Sequence, residues 1–279
     1  MTVEVQVWPT PEAFLANLGP IDEVQGCIVH GMAHTWLARP DAFRQGTPLL
    51  TATIDGTVAA AALQASAGKV VFSLGPTDAI VALARWWEES GRRPRAVVVP
   101  ESARAELKKL WRAYPTLENT LYALKSPPAP SAVPGELRRA RNGEASWLIE
   151  WITGFHRDAK LRDDPKPKML VESKLAAGHL FVWEDGMPRA IAALAGPTPR
   201  SVRINTVYTP DAFRRHGYAS AAVTALARQE LEGGRRVVQL FADRSLAHTN
   251  RMYRKIGFDP VADFADLELS AKPLPSARG

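Results

Sequence analysis

Cysteine occurs once in 279 residues, at Cys27. One thiol can form no internal disulfide and no cysteine-rich metal site, and such usage points to a reducing compartment, the cytoplasm. No apolar run reaches the roughly 18 residues of a membrane helix. The start, M-T-V-E-V-Q-V-W-P, lacks the basic patch and apolar stretch of a secretory signal, so neither a membrane nor export is expected. Lys and Arg form no long tract, and neither a zinc-finger spacing nor an aromatic RNA-binding signature occurs, so no nucleic-acid partner is expected. The net charge of +6 is spread along the chain and suits a small anionic ligand. Also missing are G-x-G-x-x-G and G-K-[ST], which excludes the usual dinucleotide and P-loop devices, and G-x-S-x-G, which excludes a serine nucleophile elbow.

What is present is a chain with 46% hydrophobic residues, enough for a globular core. Val3, Val5 and Val7 alternate with polar residues as a strand does. Thr10-Pro11-Glu12 starts a short helix over 13–18, and Asp22 starts a second through Leu37. Its His30 and His34 stand four apart, a metal-ligand spacing, but no acidic or Cys partner supports a metal, and none is expected. Strands over 50–54 and 58–64 flank the Asp55-Gly56 turn. A strand over 70–74, a helix over 78–90, a strand over 96–99, a helix over 101–114 and a strand over 121–124 follow.

Residues 126–135, S-P-P-A-P-S-A-V-P-G, resist both helix and sheet and read as a linker. Beyond them the same order returns: a strand at 137–140, helices over 144–158 and 168–177, and a hairpin at 179–195 around Asp185-Gly186. A strand at 201–209, a long helix, a strand at 237–241, a helix over 247–256 and a strand at 265–269 complete it. The repetition predicts two tandem domains of one α/β (α+β) fold, at 1–125 and 136–279, each a mixed, mostly antiparallel sheet flanked by helices.

The second half carries the chemistry. Its strand alternates, with Val202, Ile204, Thr206 and Tyr208 on one face and Arg203, Asn205 and Val207 on the other. The loop V-Y-T-P-D-A-F-R-R-H-G-Y-A (207–219) then feeds a helix on which Ala219, Ala222, Val223, Leu226 and Ala227 recur at helical spacing. Arg214, Gly217 and Ala219 form R-x-x-G-x-A. A helix N-terminus offers unpaired N–H groups and partial positive charge, and small residues let a phosphate approach them.

This loop resembles the acetyl-coenzyme A loop of the GCN5-related N-acetyltransferases, Q/R-x-x-G-x-G/A after a similar strand. A second stretch, N-R-M-Y-R-K-I-G-F at 250–258, resembles the family's later N-x-x-Y-x-K-x-G-F motif, in which Asn250 and Tyr253 share a helical face. The resemblance implies a cofactor surface of Val207, Tyr208, Thr209, Arg214, Arg215, His216, Gly217, Tyr218, Ala219, Ser220 and Asn250. It implies the pantetheine arm along Val207 and Thr209, the diphosphate on the N–H groups of 215–220, and an oxyanion contact near Val207. Tyr253 would protonate the departing thiolate. Acetyl transfer would be direct, to a small amine or a protein amine, by a monomer or a homodimer.

For the base that deprotonates the amine, Glu184, His156 and Asp163 are eligible by residue type, Glu184 first among them. Trp147, Trp151 and Phe155 are eligible to line the acceptor pocket. The first half's counterpart of the loop, Leu74-Gly75-Pro76-Thr77-Asp78, lacks the Arg and adds an acid. It is expected to bind no coenzyme and to serve as a lid and a pocket wall. The rival reading is an acyl-coenzyme A sensor that keeps the loop and has lost its acceptor; a longer acyl chain is a further alternative.

Overall fold

The computed structural model describes residues 2–66, 68–161 and 166–270. In the first half, β1 (Val3–Val7) leads to α1 (Pro11–Ala16), whose start is fixed by Thr10 accepting the Ala13 N–H at 3.2 Å and by Pro11 in the first turn. Asp22 does not open the next helix. Its Oδ1 accepts from the N–H groups of Val24 and Gln25 at 2.8 Å each, closing a turn, and α2 begins later (Cys27–Ala38). Next come β2 (Leu49–Ile54) and β3 (Thr57–Ser66), joined by Asp55 and Gly56, both at positive φ as a type I′ turn requires. β4 (Lys69–Phe72), α3 (Thr77–Glu89), β5 (Ala96–Pro100) and α4 (Glu101–Leu110) follow.

The expected helix over 101–114 stops at Leu110, and β6 (Ala113–Leu124) is three times the length predicted for it, twelve residues where four were read. Pro115, Thr116, Glu118 and Asn119 hide this strand from any apolar alternation. Two neighbouring strands hold it instead.

The second half runs β7 (Glu136–Arg139), α5 (Ala145–Asp158), α6 (Pro167–Ala176), β8 (Leu180–Asp185), β9 (Met187–Ala195) and β10 (Ser201–Tyr208). It closes with α7 (Tyr218–Glu232), β11 (Val237–Asp243), α8 (Ala247–Ile256) and β12 (Asp259–Leu269). Residues 126–135 carry no helix or strand.

All twelve strands form one sheet in the order β1-β2-β3-β4-β5-β12-β6-β11-β10-β9-β8-β7. The two terminal strands are exchanged. β12 from the second half pairs with β5, and β6 from the first half pairs with β11. Each half of the sequence therefore completes the other's sheet, with β12 and β6 joined antiparallel at the centre. Helices α3, α4, α7 and α8 cover one face, and α1, α2, α5 and α6 the other, as the buried clusters beneath them show.

β10 departs from the alternation predicted for it. Thr206 sits at φ 51°, and the pairing with β9 slips between Asn205 and Tyr208. This bulge inserts one residue, which reverses the faces beyond it. Val202, Ile204 and Val207 pack toward α7 and α8, while Tyr208 faces α5. A β-branched residue at positive φ is strained by about 1–3 kcal/mol, a feature that clusters at functional sites.

Candidate functional site

β10 and β11 run parallel and pair only over Ser201–Arg203 with Val237–Gln239. Beyond Arg203 they separate, and no further β10 residue pairs with β11. The sheet therefore opens beside the bulge. Across the opening, β11 continues to pair with β6 as far as Asp243. At its edge two buried polar atoms have no hydrogen-bond partner, Asn205 Oδ1 and Thr209 Oγ1. Buried polar groups are nearly always paired, so two orphans at one opening mark a place prepared for a ligand.

The loop 209–217 leads from this edge to α7. Arg214 organises it: the guanidinium pairs with Asp158 at 2.5 Å and Asp211 at 2.8 Å and donates to the Thr209 carbonyl at 3.0 Å. Hydrogen bonding from Arg214 is the main reason that the Asp158 carboxyl lies below its ordinary value. The basic residue of R-x-x-G-x-A is thus a brace for the loop, its charge matched within the protein. Arg215 (φ 68°) and Gly217 (φ 83°) then turn the chain into the helix.

Gly217 is the N-cap of α7, with no side-chain hydrogen bond to the cap and no acid in the first turn. The first-turn N–H groups of Tyr218, Ala219 and Ser220 have no intrahelical acceptor, and these residues are only partly buried. A Cβ at 217 would lie 3.0 Å from Val133 Cγ2, so the linker and the left-handed backbone both require glycine. His216 Nδ1 donates to the Arg214 carbonyl at 2.8 Å and its ring stacks on Tyr218. The Tyr218 hydroxyl donates to Asp185 at 2.9 Å, and Arg189 lies 4.7 Å over the Phe213 ring. The α7 terminus is therefore uncapped and electropositive, an arrangement that could take an anion.

Across the opening, α8 presents Asn250 and Tyr253 and ends at Gly257 in the left-handed C-cap expected of it. Asn250 is already engaged: its amide donates to the Asp243 and Leu246 carbonyls at 2.7 and 2.9 Å and accepts from the Tyr122 hydroxyl at 2.9 Å. It ties α8 to β11 and β6 rather than offering a free amide. Tyr253 is 6% exposed, and burial pushes its phenol well above the ordinary value, so it stays protonated. Its ring packs on Tyr122 and Phe258. Tyr122, from the exchanged β6, is the residue that reading by halves missed. Its place beside Tyr253 follows from strand order, which no local pattern carries.

The structure does not bring Glu184 to this opening. Its carboxylate accepts from Arg138 Nε at 2.6 Å, and Arg138 also grips Glu144 at 2.7 Å. β8 stands four strands from β6, so at roughly 4.8 Å per strand Glu184 is roughly 19 Å from the Tyr122–Tyr253 pair. His156 lies at the end of α5 beside Phe155, 5.9 Å between rings. Asp163 lies outside the described residues. Trp147, Trp151 and Phe155 pack with Tyr208 against the α5 face of the sheet, and Gly154 admits the Tyr208 ring against α5. His30 Nε2 donates to the Ile21 carbonyl at 3.0 Å. Among the described residues no cluster of three metal-ligating side chains occurs, and no helix is long and apolar enough to cross a membrane.

Residues 144–258 match the model of the acetyltransferase (GNAT) family. Solved structures resemble the whole chain in fold. A GCN5-related N-acetyltransferase from Sphaerobacter thermophilus is 16% identical over 98% of both chains, with a TM-score of 0.61. A GNAT-family acetyltransferase from Colwellia psychrerythraea is 10% identical over 96% of this chain and all of its own, at 0.57. A tandem GNAT protein of clavulanic acid biosynthesis is 12% identical over 98% of this chain and 100% of its own, at 0.55. No curated protein matches the sequence. The open sheet, the bulged strand and the bare helix terminus lie within the segment that matches the acetyltransferase (GNAT) family model, and the whole chain shares its fold with solved structures described as GNAT proteins.

Proposed function

We propose that the protein is an acetyl-coenzyme A-dependent N-acetyltransferase whose reaction takes place at the opening between β10 and β11. The observation that carries this is the uncapped N-terminus of α7 set directly behind a bulged, unpaired strand edge. The N–H groups of 215–220 would hold the diphosphate, Val207 and Tyr208 would flank the pantetheine arm, and the unpartnered Thr209 hydroxyl would face it. The coenzyme supplies an activated acyl group as its thioester. The amine nitrogen forms the new C–N bond as the C–S bond breaks, the amine's proton leaves to solvent, sulfur takes a proton from Tyr253, and Tyr253 recovers one from solvent.

The chain's residues act by placement. A backbone N–H at the bulge near Val207 would stabilise the developing oxyanion, an effect of several kcal/mol when the donor is fixed in advance. Tyr253 stays protonated and would place its hydroxyl proton at the sulfur, a transfer driven by the charge of the departing thiolate rather than by the acidity of the phenol. Support for an aqueous, cytoplasmic protein comes from the single buried Cys27 and from the composition.

Titration calorimetry of acetyl-coenzyme A, beside an assay for thiol release with an amine panel, tests this reading. Binding with turnover on some amine is expected. Binding without turnover on any amine would instead make the protein an acyl-coenzyme A sensor.

A further inference from the structure

Arg203 and Asn205 project from β10 on the face opposite α7, one on each side of Ile204, which is buried toward α7. α2 of the first half packs on β10 and brings the Cys27 thiol close to Arg203. Burial pushes that thiol above its ordinary value, so it stays neutral and supplies no counter-charge. Behind them Lys174 reaches from α6 to donate to the Leu194 carbonyl, and Leu194 pairs with Ile204 beside Arg203. Neither cation makes an ion pair with any carboxylate among the described residues. Glu23, the acid nearest α2's start, has its Oε2 on the Thr198 hydroxyl at 2.7 Å.

This differs from the half-buried arginines elsewhere. Arg104 pairs with Glu118 and Glu101, Arg138 with Glu144 and Glu184, and Arg235 with Glu230. Arg189, the other exception, lies over two aromatic rings. Burying a cation without a partner is costly, and the cost shows at Lys174, which burial and then Arg203 bring down to about 8. The second, independent sign of a ligand is Asn205 Oδ1, buried and unpartnered about 7 Å further along the strand at 3.3 Å per residue. It needs a donor, whereas Arg203 and Lys174 need an anion.

We infer that the acceptor is an amine that also carries an anionic group, a carboxylate or a phosphate, with the anion between Arg203 and Lys174 and the amine on Asn205 Oδ1. This rests on the acetyltransferase reading above. β10 then orders the reactants: the acceptor's anion at 203, its amine at 205, and the bulge at 206–207, where the acyl group arrives from the opposite end. Arg203 sets specificity through the fork of its guanidinium, which matches both anions.

The test uses the whole chain, acetyl-coenzyme A, and matched amines: β-alanine, γ-aminobutyrate and O-phosphoethanolamine against β-alaninamide and ethylamine. The anionic amines should show kcat/KM at least about 10-fold above the neutral ones, the worth of one charged hydrogen bond. The carboxylate and phosphate arms show which anion is used. Arg203→Met should remove that preference by raising KM for the anionic amines only, while acetyl-coenzyme A affinity stays unchanged. Arg203→Lys should restore part of the preference. Equal use of neutral and anionic amines, or a preference that survives Arg203→Met, overturns the inference. If no amine is acetylated, the acetyltransferase reading falls, and calorimetry with β-alanine and O-phosphoethanolamine decides the anion site alone. Binding lost in Arg203→Met upholds it, and no binding to the wild type overturns it.

Discussion

The two halves each pass from a strand into a helix over the sheet, at 73–76 and at 209–217, and the junctions are built oppositely. In the first, Leu74 N–H donates to the Gln25 carbonyl at 2.8 Å, and Ser73 Oγ accepts from Ala61 N–H and donates to the Leu74 carbonyl, each at 2.9 Å. Gly75 presses on β3 so closely that a Cβ would lie 2.4 Å from the Ala59 carbonyl oxygen, and Asp78 places a negative charge in the first turn of α3. The segment before α2 thus fills the place that in the second half stands open. In the second junction the loop is longer, it takes two residues at positive φ, and the helix start has neither cap nor acid. A junction closed by its own chain contributes stability, whereas one with unpaired groups is held ready for something else to pair them.

The harshest way to break the comparison is to separate the halves. Residues 126–279 alone lack β6, leaving β11 with a bare edge, and should be unfolded or aggregated by circular dichroism and gel filtration. Co-expression with 1–125 should recover a soluble one-to-one complex. Next, Gly217→Glu should weaken acetyl-coenzyme A binding by more than about 100-fold in calorimetry, through lost access to the amides and charge repulsion. Gly75→Ala should lower the melting temperature and leave that affinity unchanged. Equal loss of affinity in both would show that the first junction also binds.

The Arg138 cluster sharpens the contrast through pH. Arg138's hydrogen bonds are the main reason that the Glu144 carboxyl lies below its ordinary value. A depressed carboxyl stabilises the fold above its unfolded pKa of roughly 4.3 and loses that stability as pH falls through the folded value. Arg138→Met should therefore cost about 3 kcal/mol in denaturant unfolding at pH 7 and progressively less below pH ~4.5. A cost that does not shrink in acid would show that packing alone is lost.

At the reacting centre, Tyr253→Phe should lower kcat by about 10 to 100 times with coenzyme affinity within a few-fold. The smallest effect expected is that of Tyr122→Phe, which loosens Asn250 and should lower kcat about threefold, the worth of one neutral hydrogen bond. An unchanged kcat would reduce the first half's share in the site to packing.

Much of this was legible in the residues. Thr10-Pro11, Asp55-Gly56 and Gly257 act through local backbone preferences and sit where such preferences put them, and the linker's prolines leave no alternative. R-x-x-G-x-A located the helix terminus because glycine there answers a backbone demand. The rest depended on partners far away in sequence. The polar run of β6 looks like a loop until two neighbours pair with it. A bulge at Thr206 has no signature in a strand of ordinary alternation, so Tyr208 was placed on the wrong face. Glu184 was eligible as an acid and unsuitable by position, which only strand order reveals. Arg214 carries its charge for Asp158 and Asp211, a pairing the motif does not show.

The exchange of β6 and β12 also sets when the molecule can fold. β5 stays half-paired until β12, more than 150 residues later in the chain, has been made, so the first half cannot finish folding ahead of the second. Such distant pairing slows folding and leaves an apolar strand uncovered during translation. It also welds the first half to the second, so that neither can be discarded or replaced without the other.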